Sequence, residues 1–221
     1  IDLEGIAFFP LSRSAVLELQ DINVEVRDAR PTALCIINYG SGTTGRAKLI
    51  PYTHEFLEQR CSRSSRGYEV TESDCVATQI HLNYWSAKVR LLAALGSGNR
   101  IALVNDSGKD PISTVIDYGV TVLTSTVFHI EQICQALPEQ STPVWDHLNC
   151  LDLTSSTVSE SLRRRITQSV SRNLYVSYGC NECGNISVAT PDEIFTYPGT
   201  VGRLLAETHL EIVDSSDLPI A

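Results

Sequence analysis

Residues 39–48 read Tyr-Gly-Ser-Gly-Thr-Thr-Gly-Arg-Ala-Lys and combine the residue types that hold phosphate. Glycines allow backbone N–H groups to approach a phosphate, hydroxyl groups add donors, and a lysine adds a mobile positive charge. The apolar run at 33–37 predicts a buried strand just before this loop. We therefore interpret the loop as the phosphate-binding part of a nucleotide site, formed by Ser41, Gly42, Thr43, Thr44, Gly45 and Lys48.

Two common phosphate-binding motifs do not fit the loop. A P-loop needs GxxxxGK followed by Ser or Thr, but Gly45 is followed by Arg46, Ala47 and Lys48. The dinucleotide motif GxGxxG fits only at its start, because a basic turn and then Pro51 follow Gly45. A Gly/Ser/Thr-rich loop without a special role remains the alternative.

Two further clusters carry polar and aromatic side chains. Residues 175–184 read YVSYGCNECG, in which Tyr178 offers a flat apolar face and Glu182 a hard oxygen ligand. Residues 80–86 read IHLNYWS and supply candidates for a small-molecule pocket. The alternatives are a core tyrosine with a solvated turn glutamate for the first cluster, and a helix start with a buried Trp85 for the second.

Strand and helix patterns alternate along most of the chain. Short apolar runs predict strands at 75–82, 100–104, 120–123, 150–153 and 174–177, and helical spacing predicts helices at 54–66, 85–95, 111–118, 127–137 and 158–170. This order predicts an α/β fold, a parallel sheet with flanking helices. Ligands of such sheets bind beyond the carboxyl ends of the strands, where the polar clusters also fall.

The composition of the chain narrows the classes of function that it can have. The chain has 221 residues, a formal net charge of −9, and 43% hydrophobic residues. The acidic balance argues against nucleic acid as a partner, and no run approaches the ~18 apolar residues of a membrane span. Seven scattered cysteines predict a reducing, cytoplasmic setting, and the pair Cys180 and Cys183 lacks the second pair that a zinc site needs.

The order of residues in the loop resembles the phosphate loop of the adenylate-forming superfamily, roughly (S/T)SGTTGxPKG. This superfamily contains acyl- and aryl-CoA synthetases, luciferases and nonribosomal adenylation domains. Gly40 replaces the first hydroxyl residue, Ala47 the usual proline and Leu49 the following glycine. Tyr178, Gly179 and Glu182 resemble the family's YGxTE, about 130 residues later as in the family, with Asn181 in place of threonine.

Three looser matches extend the resemblance over residues from about 28 to 221. Ser155 and Ser156 stand where the family has a glycine-rich adenine loop, one residue short. His81, Asn83 and Tyr84 stand where the family lines its acid pocket. The segment 198–204, PGTVGRL, resembles a structural PGTVGRP segment that leads into a strand, here expected at 209–213.

The resemblance implies activation of a small acyl or aryl acid with ATP as an acyl-adenylate, then transfer to a thiol. That thiol is coenzyme A or the pantetheine of a carrier protein. Tyr178 would stack on adenine with Ser155, Ser156, Gly179 and Asn181 nearby. Glu182 and Thr43 would bind Mg²⁺, and Lys48 and Glu182 would be catalytic. The acid and the thiol acceptor are not identified by the sequence.

Two rival functions stay open. A nonribosomal amino-acid adenylation domain would carry an aspartate near Asn83, which an amide does not replace. A noncatalytic nucleotide-binding module would use the loop without chemistry. We also expect the chain to be a fragment of an AMP-binding N-terminal domain without its C-terminal lid, inactive by itself. It has no TGD segment, no lysine beyond Lys48, Lys88 and Lys109, and no methionine, so residues could also be missing from the written sequence.

Overall fold

The computed structural model describes residues 30–40, 48–104, 110–138 and 142–220. The predicted phosphate ligands Ser41, Gly42, Thr43, Thr44 and Gly45 lie outside the described residues. Within them the fold is a seven-stranded sheet flanked by helices, together with a separate two-stranded hairpin.

The hairpin flanks the predicted phosphate loop. Its strands β1 (Leu34–Gly40) and β2 (Lys48–Thr53) pair antiparallel. A strand does cover most of the predicted range 33–37, but the prediction that it is buried is wrong, because Leu34 is 57% exposed and Ile37 is 36% exposed. A two-stranded hairpin has no neighbouring strands or helices on both faces, so an apolar run in it stays partly open to water.

The main sheet has the order β4-β3-β5-β6-β7-β8-β9. The first five strands in this order run parallel, and the last two pair antiparallel. Their bounds are β3 Cys75–Thr78, β4 Arg100–Ala102, β5 Val122–Thr126, β6 Cys150–Thr154, β7 Leu174–Cys180, β8 Gly184–Ala189 and β9 Arg203–Leu204. The predicted parallel sheet is therefore confirmed, with an antiparallel edge that the alternation of strands and helices did not indicate.

In the described part of the chain six helices flank the strands: α1 His54–Ser65, α2 Trp85–Gly96, α3 Pro111–Asp117, α4 Val127–Ala136, α5 Glu160–Ser169 and α6 Pro191–Thr196. Side-chain caps fix several of their starts. Thr53 accepts a hydrogen bond from the Phe56 amide, and Ser159 accepts one from Leu162. These caps satisfy amides that have no partner within the helix.

Two elements near the end of the chain were missed or misplaced by sequence reasoning. Helix α6 opens with a capping box between Thr190 and Glu193 and has Pro191 in its first turn, a signal that could have predicted it. The strand expected at 209–213 is wrong, because only Val213 pairs there, in an isolated bridge with Pro219. The PGTVGRL segment instead leads directly into β9, which bonds to β8.

Side chains from the parallel strands alternate between two hydrophobic clusters. Leu123 and Leu151 belong to the larger cluster, whose members include the fully buried Trp145. The adjacent Val122 and Cys150 belong to a second cluster on the other face. Because both faces are covered, consecutive apolar residues are buried in the first part of the central strands, as in Val122–Leu123 and Cys150–Leu151. No helix among the described residues has the length and apolar character needed to cross a bilayer.

Candidate active site

A cavity of about 680 Å³ opens at the carboxyl ends of β5, β6 and β7. Helices α1 and α2 and the turn between β7 and β8 form its other walls. Loops at the carboxyl ends of parallel strands are the usual ligand sites of such sheets. The cavity walls include five of the residues predicted from the sequence: Asn83, Tyr84, Ser155, Gly179 and Asn181.

The structure brings the hairpin strands that flank the predicted phosphate loop into contact with the YGxxE motif. Asn181 is the contact point: its carbonyl accepts a hydrogen bond from the Tyr52 hydroxyl at 2.6 Å, across 129 residues of sequence. A Cβ added to Gly40 would lie 3.9 Å from the Asn181 side-chain nitrogen. Gly40 in turn pairs with Lys48 across the hairpin. The residue before the predicted phosphate loop, Gly40, therefore lies close to the β7–β8 turn.

Backbone geometry explains two of the predicted cavity residues. Gly179 lies where β7 and β8 come closest, at an irregularity in their register, and a Cβ there would overlap the Gly184 carbonyl. Only glycine fits this close approach. Ser155, directly after β6, has a φ of 79°, in the left-handed region that is costly for residues with a Cβ. Ser155 is thus held in an unusual conformation at the cavity wall.

Other predicted residues described by the structure are not among the cavity walls. Tyr178 is 51% exposed on β7. Ser156, Glu182 and Lys48 are also exposed, at the end of β6, in the β7–β8 turn and at the start of β2. His81 is exposed too, and its Nδ1 accepts a hydrogen bond from the Asn83 amide at 3.2 Å. Their functional roles stay predictions.

Sequence reasoning missed a buried ion pair at the cavity floor. The Arg90 guanidinium lies 2.5 Å from the Asp152 carboxylate, and the Tyr68 hydroxyl donates to the other carboxylate oxygen at 2.9 Å. Arg90 also donates to the Ser64 carbonyl. Burial, together with the negative charge of Asp152, raises the pKa of Tyr68, so the hydroxyl stays a neutral donor. A charged residue inside the apolar run 150–153 was the available sequence signal.

A stack of aromatic rings forms the wall between the hairpin and the cavity. The Tyr52 ring stacks on Trp85 at 4.5 Å and on Phe56 at 5.2 Å between ring centroids. Trp85 is 3% exposed at the first turn of α2, so it is a buried residue at a helix start, as the alternative interpretation held, while it also lines the cavity. Arg60 lies over the Tyr52 ring, 5.7 Å from its centroid.

A sequence model of the family described as "AMP-binding enzyme" matches residues 7–220. The chain belongs to this AMP-binding enzyme family. The predicted resemblance to adenylate-forming enzymes is confirmed, and the fold matches the N-terminal domain of these enzymes.

Solved structures of adenylate-forming enzymes superpose on the chain. An O-succinylbenzoate coenzyme A synthetase (MenE) from Bacillus subtilis, in complex with ATP and magnesium ion, has a TM-score of 0.77 and 19% identity, covering 93% of this chain and 43% of its own. VinN has a TM-score of 0.77 at 17% identity, covering 94% and 53%. The luciferase-like enzyme of the nonluminescent mealworm Zophobas morio has a TM-score of 0.77 at 17% sequence identity. This alignment covers 96% of the present chain and 52% of the mealworm enzyme.

These likenesses concern the fold, because their sequence identities are below one fifth. The chain spans about half the length of these solved structures or less. The comparison with curated proteins gives no significant match.

Proposed function

We propose that the chain carries the nucleotide- and acid-binding part of an enzyme that activates a carboxylic acid with ATP. The acid carboxylate would attack the α-phosphate, forming an acyl-adenylate and releasing pyrophosphate. The acyl group would then pass to the thiol of coenzyme A or of a carrier-protein pantetheine. Membership in the AMP-binding family supports this class of reaction.

The observation that carries the proposal is the contact between the strand after the predicted phosphate loop and the YGxxE motif, whose Gly179 and Asn181 line the cavity. Tyr52, on the strand after the phosphate loop, donates to the carbonyl of Asn181, within the YGxxE motif. The YGxxE motif itself lies at the carboxyl end of β7, where ligands of parallel sheets usually bind. In this proposal the phosphates lie at the loop 41–48, and Tyr178, Ser155 and Gly179 surround the adenine.

The donors at the turn fit a magnesium–nucleotide complex better than a protein-enclosed metal centre. Among the described residues no group of three His, Cys, Asp or Glu side chains is arranged to hold a metal. Mg²⁺ in nucleotide sites needs only one or two carboxylates, because phosphate oxygens and waters complete its shell. Glu182, exposed beside Asn181, would supply such a carboxylate, with Thr43 as a second oxygen ligand. The bound ion would neutralise developing phosphate charge.

Asn83 and Tyr84 in the cavity wall support an acid pocket between α1 and α2. An amino-acid substrate would need a free carboxylate for its ammonium group. Asn83 carries no charge, and the Asp152 carboxylate in this cavity is already bound by Arg90 and Tyr68. We therefore favour an acyl or aryl acid over an amino acid. The cysteines, which carry free thiols, support the proposed cytoplasmic setting.

The test is acid-dependent exchange of radiolabelled pyrophosphate into ATP, measured over a panel of carboxylic acids on the longest form of the protein. Exchange stimulated by particular acids would support the proposal. Tight ATP binding without exchange under any acid would favour the noncatalytic nucleotide-binding module. Exchange stimulated only by amino acids would favour the nonribosomal class.

A further inference from the structure

Three arginines line the cavity, but the structure pairs only one of them with a carboxylate. Arg90 is bound to Asp152. Arg60 and Arg63, both on α1, form no ion pair within the described parts of the chain. The cavity therefore carries an excess of positive charge on its α1 wall.

Arg60 is buried among neutral partners. Its side chain is only 7% exposed, and one guanidinium nitrogen donates to the Asn181 carbonyl at 2.7 Å. It also lies over the faces of the Tyr52 and Phe56 rings, at 5.7 and 5.9 Å from their centroids. Burial lowers the pKa of Arg60, as expected for a cation removed from water without a compensating anion.

Arg63 lies one helical turn further along the same face and has an unused donor. One terminal nitrogen donates to the Thr208 hydroxyl at 2.5 Å. Its Nε is buried and has no hydrogen-bond partner among the described residues. A buried donor without a partner is costly, and a ligand atom that accepts from it would recover that cost.

We propose that Arg60 and Arg63 form an anion subsite for a second carboxylate of the acid substrate. The chain would then select dicarboxylic acids over monocarboxylic acids of the same length. This inference rests on the proposed function, and it adds the substrate class. A planar carboxylate fits the parallel N–H donors of a guanidinium, and the pairing is stronger in a partly desolvated site.

Matched acids test the subsite without requiring catalysis. Adipate and hexanoate have the same carbon chain, and phthalate and benzoate the same ring, but each first member has one more carboxylate. Calorimetric titration of the chain should give affinities ~10- to 100-fold higher for the diacids, the range expected of charged hydrogen bonds. Equal affinity within both pairs, or binding of no diacid, would overturn the inference.

Arg63→Gln is the informative variant, because it keeps polarity but removes the charge. The diacid preference should fall to near unity, while hexanoate affinity changes less than about twofold. Arg66→Gln, an exposed position one turn further on, is the matched control and should keep the preference. Far-UV circular dichroism checks that both variants fold.

ATP phosphates are the competing source of negative charge. If Arg63→Gln weakened ATP binding and left the diacid preference intact, the arginines would serve the nucleotide and the inference would be wrong. The outcome of pyrophosphate exchange is separate. Exchange stimulated only by monocarboxylic acids would sustain the proposed function while rejecting the diacid subsite, whereas no exchange with any acid would reject the function itself.

A second, independent observation concerns the cysteines at the cavity rim. The Sγ atoms of Cys180 and Cys183 lie 3.0 Å apart, and both residues are exposed. The pair brackets Asn181 and Glu182, in the turn that joins the two motifs.

The geometry points to a redox modification site at this turn. Hydrogen peroxide would accept two electrons and two protons from the two thiols, giving one Cys180–Cys183 disulfide and two waters. Exposed thiols already in contact need little backbone movement to be joined. The crosslink would hold the turn that carries Asn181 and Glu182.

Peroxide treatment followed by thiol titration in denaturant tests this site. Reactive thiols should fall from seven to five per chain, and dithiothreitol should restore them. Peptide mass mapping should recover a 180–183 crosslink, absent in Cys183→Ser and retained in Cys134→Ser, a change at a buried cysteine of α4. An unchanged thiol count, a crosslink elsewhere, or oxidation to sulfinic acid without a crosslink would overturn the assignment.

Discussion

At the scale of single residues, the Arg90–Asp152 pair gives the cavity floor its rigidity. Both side chains are at least nine-tenths buried, and the carboxylate has three different donors around it: Arg90, Tyr68 and Thr124. Removing water from two opposite charges is costly, so such a pair persists only with close geometry and additional hydrogen bonds. This cluster holds α2 against β6, and thereby fixes two walls of the cavity.

Replacing Arg90 by alanine should destabilise the protein strongly. The change leaves the Asp152 carboxylate buried without its cation, and we expect a loss of about 3–5 kcal/mol in the free energy of unfolding. Urea denaturation checks this value. Arg172→Ala, at an exposed ion pair with Asp146, is the control and should cost less than about 1 kcal/mol. Similar small losses for both variants would contradict the assignment.

The Asp74 carboxyl should make the free energy of unfolding depend on pH in the acid range. Burial alone would raise the pKa of its carboxyl, but hydrogen bonds from Thr121, Thr71 and Asn149 outweigh burial and lower it. The folded state therefore binds the proton less tightly than the unfolded state. Its stabilising contribution is complete above pH about 3.9, the unfolded value, and is lost as the pH falls through the lower folded pKa.

Asp74→Asn should remove this contribution. We expect the difference in unfolding free energy between wild type and variant to shrink as the pH is lowered below about 4. Urea unfolding over a pH series measures it, with the exposed Asp146→Asn as control. A difference independent of pH would show that Asp74 does not titrate with folding.

At the scale of elements, the junction of β8 and β9 depends on Gly202. This residue has a φ of 83°, and a Cβ would overlap the Val188 carbonyl and the Ala189 nitrogen. Gly98 has a similar φ of 74°, but a Cβ there would meet nothing within 4 Å. Comparing an alanine substitution at each of the two glycines therefore separates the free-energy cost of the left-handed backbone from the cost of a steric clash.

Gly98→Ala should cost about 1–2 kcal/mol, from the left-handed backbone alone. Gly202→Ala should lower the free energy of unfolding by about 3 kcal/mol or more, because the clash of the added Cβ adds to the strain of the left-handed backbone. Thermal unfolding of both variants gives the comparison. Equal losses would mean that the β8–β9 junction relaxes around the added methyl group.

At the scale of the whole molecule, the described fold supplies the walls of the cavity in which we propose that nucleotide and acid bind. The solved relatives that superpose on it are about twice as long. The resemblance to adenylate-forming enzymes implies a further lysine, supplied by a C-terminal lid, at the α-phosphate and the acid carboxylate, and besides the loop residue Lys48 this sequence has only Lys88 and Lys109. We therefore propose that the 221-residue chain binds its ligands better than it converts them.

Acyl-adenylate formation by this chain should be at least ~10²-fold slower than by whole synthetases, the usual cost of losing a charged group at the reacting centre. Single-turnover assays with ATP and the preferred acid measure the rate, with a complete acyl-CoA synthetase as reference. A comparable rate would show that the described residues suffice for the chemistry.

The sequence by itself determined the family, the alternation of strands and helices, and two of the motifs. Glycines, hydroxyl residues and helix caps act on the backbone next to them in the sequence. For this reason the loop motif at 39–48 and the helix that begins after Thr53 can be recognised from short stretches of sequence. The YGxxE motif and the five parallel strands follow from similarly short-range patterns.

Only the tertiary structure decided which distant side chains share the cavity. Arg60 and Arg63 lie on one helix face, and Arg90 lies on the next helix, but nothing in their spacing indicates that all three line one cavity. The exposure of β1 and the antiparallel β8 and β9 likewise depend on which strands become neighbours. Strand order depends on packing between residues that are far apart in the sequence. It therefore also decides which charged side chains line the cavity.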